Sequence, residues 1–472
     1  MFQHQRWTII VPVNIMPRSR SARCLAVALA SLGAAGQALA APAIRAEAWH
    51  APVEQARPGQ VADAIAWQAF AQPQLDGLLA RARKNNPDMA IALARIVQAR
   101  GQLGVAGAAL YPQISLSAGR TARIEAGSGG LAPASGFTGA LGVSYELDLF
   151  GALKAGKRSA AARFAAAGYD ADVVTLLVES EVASQYVEYA ALCDRIAILQ
   201  KALENGRELE RIIAVRVREG VATQVDLGLQ SIEVRRIEAD RSKLEEARGN
   251  VETALSLLVG EEAPGFQLGP ASLAGFNLPR FAVAQPFELL ARRPDIRAAE
   301  MRVSAADGDV SAARRAFLPS LGISAEGLAS SAGTGFLTLG LSTLASLVAP
   351  IFDGGRRRGR LLTVKGEKQE AIEQYRKTIL VALVETENAL MAIAKAEERR
   401  QLFGAIRSDA ARTAALSQRQ FVEGAADARA ALDGERGLLN VEEAYALSLR
   451  DKLNALISLH RAMGGPPRIR TG

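Results

Sequence analysis

Two proline-centred segments occur twice in this chain, 207 positions apart. Asn86-Pro87-Asp88 and Leu110-Tyr111-Pro112-Gln113-Ile114-Ser115-Leu116 return as Arg293-Pro294-Asp295 and Phe317-Leu318-Pro319-Ser320-Leu321-Gly322-Ile323. A fixed-offset repeat constrains a fold more than any local propensity, because both copies must satisfy one plan. Solenoid units are only about 20–50 residues long, so here a whole structural unit is duplicated.

Each copy reads in the same order. Proline sits near the first turn of a helix, where its missing N–H costs nothing, and Tyr111-Pro112 stops the first such helix near Ala109. The periodicity then changes from helical to alternating. Ile114, Leu116 and Ala118 alternate with Gln113, Ser115, Ser117 and Gly119, and Leu141, Val143, Tyr145, Leu147 and Leu149 share one side of a second run. A Gly/Ser/Pro loop at 127–136 separates the two runs. The second copy repeats the hairpin, with strands at 321–329 and 336–352 around a loop at 330–335, which makes four strands per chain.

Residues 152–219 and 356–423 contain no proline and carry apolar residues at three- and four-residue spacing. Each would make a helix about 100 Å long, a length that signals coiled-coil packing. Each run ends in a matching reversal, Glu219-Gly220-Val221-Ala222-Thr223 and Glu423-Gly424-Ala425-Ala426-Asp427. Gly220 and Gly424 suit the left-handed position that closes a helix, and Thr223 and Asp427 suit the N-cap of a return helix. Return helices are expected at 224–259 and 428–463.

Composition places the chain outside several classes. Its formal charge of +7 rests on 56 basic and 49 acidic residues, and the first 40 residues hold four arginines and no acid. The remainder is nearly balanced, which argues against nucleic acid as a partner. Three histidines, His4, His50 and His460, are too few and too scattered for a metal cluster or a nucleophilic triad. Gly127-Ser128-Gly129-Gly130 precedes no helix and is not a phosphate loop. Neither an enzyme nor a cofactor is expected.

Residues 1–40 read as an export signal: Arg18, Arg20 and Arg23, an apolar run from Cys24 to Gly36, and Ala38-Leu39-Ala40 before cleavage. Met16 is a better start than Met1. A lipidated cysteine ends such a run, whereas Cys24 begins it, so lipidation is not expected there. Cys193 is read as a small buried hydrophobe. The expected organisation is a signal (1–40), an extended arm (41–72), repeat 1 (73–259, strand hairpin 113–150, helical hairpin 152–259) and a linker (260–285). Repeat 2 (286–463, strand hairpin 320–352, helical hairpin 355–463) and a tail (464–472) follow.

Four strands with one apolar face cannot bury that face within one chain. A transmembrane barrel needs roughly eight strands or more, so several copies must contribute. Five blocks carry a resemblance: Ala66-Trp67-Gln68-Ala69-Phe70-Ala71-Gln72-Pro73-Gln74-Leu75, Leu289-Leu290-Ala291-Arg292-Arg293-Pro294-Asp295-Ile296-Arg297-Ala298-Ala299-Glu300, Ile351-Phe352-Asp353-Gly354-Gly355, Leu432-Asp433-Gly434-Glu435-Arg436, and Leu459-His460-Arg461-Ala462-Met463-Gly464-Gly465. In this order they resemble the TolC-like outer-membrane factors, in the NodT-like branch that serves RND-type efflux pumps.

That resemblance implies a mainly α fold with a β-barrel portion. A homotrimer would hold a 12-stranded barrel in outer-membrane lipid and a periplasmic barrel of long α-hairpins. It implies a periplasmic adaptor and an inner-membrane RND pump as partners, and a closed periplasmic end that opens when they dock. By position from the tip glycines, Asp226 matches the family's linking acid and Asp433 a lumen-facing aspartate. Phe421 stands at an aromatic position but lacks a hydroxyl, and Ala430 stands where some members carry an acid. Packing or an Asp427/Arg429 charge contact would then replace a hydrogen-bonded lock. The plainer alternatives are helix caps for Thr223 and Asp427, solvated charges for Asp226 and Asp433, and an interfacial or solvated face for Arg356-Arg357-Arg358. Arg292, Arg293 and Asp295 read as structural. Three functions stay open: an efflux exit duct for small amphiphilic compounds, a duct for type I protein secretion, and a periplasmic coiled-coil scaffold without a pore.

Overall fold

The computed structural model describes Trp49 and residues 67–127, 130–278, 286–332 and 336–465, all within the compact unit Ile44–Gly472. The signal segment, Met16, Cys24 and most of the expected arm lie outside the described residues.

Three helices of each copy are duplicated at equal length. In repeat 1, α1 (Pro73–Asn85) precedes α2 (Pro87–Ala108), then the strands β1 (Gln113–Gly127) and β2 (Gly130–Leu147), then α3 (Ala152–Arg218) and α4 (Gln224–Leu258). In repeat 2, a short α5 (Leu289–Arg292) precedes α6 (Pro294–Arg315), β3 (Ser320–Ala332), β4 (Phe336–Val348), α7 (Arg356–Val422) and α8 (Ala428–Ala462). The paired helices have 22, 67 and 35 residues in both copies. Pro87 and Pro294 each occupy the first helical turn, and Asn86 caps α2 by accepting from the Met89 N–H. Among the described residues no helix is long and apolar enough to cross a membrane.

The strands form one antiparallel sheet in the order β1-β2-β3-β4, with the two hairpins joined through β2 and β3. Register sorts the side chains. Leu116 pairs with Leu141, Leu141 with Gly327, and Gly327 with Leu341, so these four form one row across one face. Ile114, Val143, Tyr145, Ile323 and Leu339 lie on the same face, while Ser115, Ser117, Ser144, Glu146, Ser324, Glu326 and Ser342 lie on the other. The alternation expected from the sequence is therefore present.

Three local expectations change. Residues 127, 130–136 and 330–332, placed in the expected loops, are strand, because an antiparallel ladder continues through Gly, Ser and Pro while both backbones stay paired. β4 ends at Val348, four residues before the expected strand end at Phe352. Trp67–Phe70, assigned to an extended arm, form a 3-10 turn whose two aromatic side chains are buried.

The main core lies around the middle of α3. Trp67 and Phe70, Leu75, Leu78 and Leu79 of α1, Tyr186 and Val187 of α3, Phe276, and Leu453, Leu456 and Ile457 of α8 pack together there. The expected linker contributes to it, since Leu273 and Phe276 are buried and the Leu273 N–H donates to Asp194 (2.9 Å). Arg293 reads as a structural clamp. Its guanidinium donates to Asp295 (2.7 Å), to the Ala462 carbonyl (2.9 Å) and to Glu385 (2.8 Å), fastening the start of α6 to α7 and α8.

Candidate functional site

The two helical reversals make the same backbone hydrogen bonds at matching positions. Gly220 (φ 74°) and Gly424 (φ 79°) are both left-handed, where a Cβ would be strained. The Val221 and Ala222 N–H groups donate to the Arg216 carbonyl, and Ala425 and Ala426 donate in the same way to Gln420. These bonds satisfy carbonyls that the ends of α3 and α7 would otherwise leave unpaired.

The caps beyond each tip differ. Thr223 and Asp226 form a reciprocal capping box. The Asp226 carboxylate accepts from the Thr223 N–H (2.9 Å) and hydroxyl (2.7 Å), and Thr223 Oγ1 accepts from the Asp226 N–H (3.1 Å). The hydroxyl bond, then the backbone bond, holds the Asp226 carboxyl below its ordinary pKa. At the second tip Asp427 caps α8 alone, accepting from the Ala430 N–H (3.0 Å). Thr223 and Asp427 are thus both N-caps.

The expected Asp427/Arg429 charge contact is absent among the described residues. Asp427 is turned onto the backbone it caps, and Arg429 is exposed without an ion pair. Asp433 is likewise exposed, six residues after the N-cap of the return helix.

Phe421 is packed into the tip. It is only 2% exposed and sits with Leu209 and Ile213 of α3 and Ala428, Ala431 and Leu432 of α8. Two contacts escaped the sequence reading. Arg216 lies over the Phe421 ring at 4.2 Å and donates to the Phe421 and Val422 carbonyls (2.7 and 3.0 Å). Farther from the tips, Glu233 is buried and takes hydrogen bonds from Arg236 of its own helix and from Arg436 of α8 (2.6 Å). Burial opposes the Glu233 charge, but those two arginines outweigh it and keep its pKa low. Glu435, beside it, is pushed up by burial and by the Glu233 carboxylate. A signal for Arg216 existed in the repeat: four residues before each tip glycine stand Arg216 and Gln420, a charge present in one copy only.

Comparison with known proteins agrees with this arrangement. The sequence pattern of the outer membrane efflux protein family matches residues 78–261 and 286–465, the two repeats. The chain is 33% identical over 410 residues to the pyoverdine export outer membrane protein OpmQ of Pseudomonas putida, covering 84% of this chain and 87% of that protein. It is 29% identical to outer membrane protein OprJ of Pseudomonas aeruginosa, covering 89% of this chain and 90% of that one. The Campylobacter jejuni CmeC outer membrane channel shares the fold with a TM-score of 0.82 at 22% identity, over 88% of this chain and 91% of that chain. The outer-membrane channel OprN does so with a TM-score of 0.81 at 24% identity, over 89% and 96%. With both repeats matched and most of each relative covered, the chain belongs to the outer membrane efflux protein family.

Proposed function

We propose that this chain, as a homotrimer, is the exit duct of a tripartite efflux pump, a passive conduit for small amphiphilic compounds gated at its helical tips. The observation that carries the reading is the two-faced sheet. One face presents Leu116, Leu141, Leu339 and Leu341, and the other presents mainly serines, glycines and two glutamates, with Leu328 and Leu344 among them. Leu341 is 82% exposed in the single chain, which suits contact with lipid and not with water. Strands β1 and β4 leave open edges, and a bilayer tolerates no unpaired edge. Three copies would close twelve strands into a barrel, with the long α-hairpins continuing into the periplasm.

No catalytic constellation is needed for such a role. An inner-membrane RND pump would supply the energy, and a periplasmic adaptor would engage the tips and open them. The names of the relatives OpmQ and TtgF refer to export of pyoverdine and efflux of toluene, which favours efflux over type I protein secretion. Asp433 is read as a pore-facing charge. Asp226 and Asp427 serve the gate by fixing where each return helix begins.

Outer-membrane fractions should contain the protein as a heat-modifiable trimer that forms cation-preferring pores in planar bilayers. Recovery solely from the soluble periplasm would remove the duct reading. Within that assay Asp433→Ala should raise conductance or weaken cation preference, and unchanged values would take Asp433 out of the constriction.

A further inference from the structure

We propose that Arg216 is a latch that holds the two tips of one chain together in the closed duct, and that it acts once per chain. The proposal rests on the duct reading above. Arg216 lies in the last turn of α3, and its guanidinium makes three contacts with the end of α7. Two are hydrogen bonds to the Phe421 and Val422 carbonyls, at 2.7 and 3.0 Å. The third is the face of the Phe421 ring, 4.2 Å from the guanidinium carbon.

Each contact suits a cation at that place. The final carbonyls of a helix form the negative end of its dipole, and the Phe421 carbonyl, already accepting from the Gly424 N–H (3.0 Å), takes the guanidinium on its second lone pair. A planar guanidinium can donate at its edge while stacking on a ring, which an ammonium cannot do as well. The ring itself is immobilised, because Phe421 is wedged among Leu209, Ile213 and Leu432. Through Phe421, Arg216 therefore positions the second tip against the first.

Repeat symmetry makes the latch one-sided. The residue that stands to the second tip as Arg216 stands to the first is Gln420, which is neutral and exposed, and the counterpart of Phe421 is Val217. The reciprocal contact, from the second hairpin to a first hairpin, would have neither the charge nor the ring. In a ring of alternating hairpins, this particular contact would thus occur within chains and have no repeat-equivalent at the joints between them. The capping box of Thr223 and Asp226 is spent inside its own hairpin and cannot substitute.

The test compares full-length wild type, Arg216→Ala, Arg216→Lys, Phe421→Ala and the Arg216→Ala/Phe421→Ala double variant in planar bilayers. Far-ultraviolet circular dichroism and heat-modifiable trimer content serve as folding controls. Arg216→Ala should raise mean conductance several-fold with an unchanged trimer. Arg216→Lys should fall between, since an ammonium keeps a carbonyl contact and loses the stacking. The double variant should conduct little more than Arg216→Ala alone. Wild-type conductance in Arg216→Ala overturns the latch while leaving the duct reading intact. Loss of trimer in both Arg216 variants also overturns it, because the residue then serves assembly. Absence of pores in the wild type removes both readings.

Discussion

His460 shows what a single residue can carry in this fold. It is 1% exposed, its ring lies 4.4 Å from the Trp67 ring, and its Nε2 is buried without a hydrogen-bond partner. Burial pushes its pKa down to about 4, against a smaller opposing pull from Glu179. The imidazole is therefore neutral in the folded chain down to acidic pH. Below about pH 6.5 the unfolded chain binds a proton that the folded chain refuses, so this contribution is whole above that pH and is lost on descending towards 4. The loss should amount to about 3 kcal/mol at most. Apparent melting temperature in detergent should fall over that window, and His460→Leu should flatten the fall; an equally steep profile in the variant would locate the proton elsewhere. The burial of His460 could not be read from its sequence position near the chain's end. Thr223 is the contrasting case, because a cap is set by residues three apart and is legible locally.

At the scale of elements, sequence reading was strongest for the helices. The ends of α3, α4, α7 and α8 fall within a residue or so of the expected positions, since glycines and caps mark them chemically. Strand ends were less legible, because pairing with a neighbouring backbone extends a strand through residues that look like loop. Helix–helix contacts were not legible at all. Gly308 of α6 meets α3 so closely that an added Cβ would lie 2.8 Å from Ser159 Cβ and 2.9 Å from its Cα and N. Backbone on the far side cannot yield as a flexible side chain would. Gly308→Ala should therefore cost roughly 1–3 kcal/mol, visible as a lowered melting temperature; an unchanged melt would show that α3 and α6 can separate freely.

At the scale of the whole molecule, the repeat exposes an unfilled place. α6 packs on both α3 and α7, whereas its counterpart α2 packs on α3 and leaves Ile91, Leu93, Val97 and Val105 exposed. Gly101, the repeat equivalent of Gly308, has nothing within 4 Å. If α2 meets the α7 of another copy as α6 meets α3, Gly101 lies at a close approach between chains. Gly101→Leu should then reduce trimer on a heat-modifiability gel while leaving helix content unchanged. Full trimer recovery in that variant would place the inter-chain contact elsewhere.

Much of this protein was determined by its sequence alone: two copies of one plan, the long helices and their turns, and strands with one apolar face. Those features arise from local chemistry, through proline and glycine dihedrals, caps and the period of apolar residues. Tertiary structure alone decided which helix meets which, that Phe421 is clamped by Arg216, and that Arg436 reaches Glu233. Such contacts join residues some 200 positions apart, and their geometry depends on packing that no local pattern encodes.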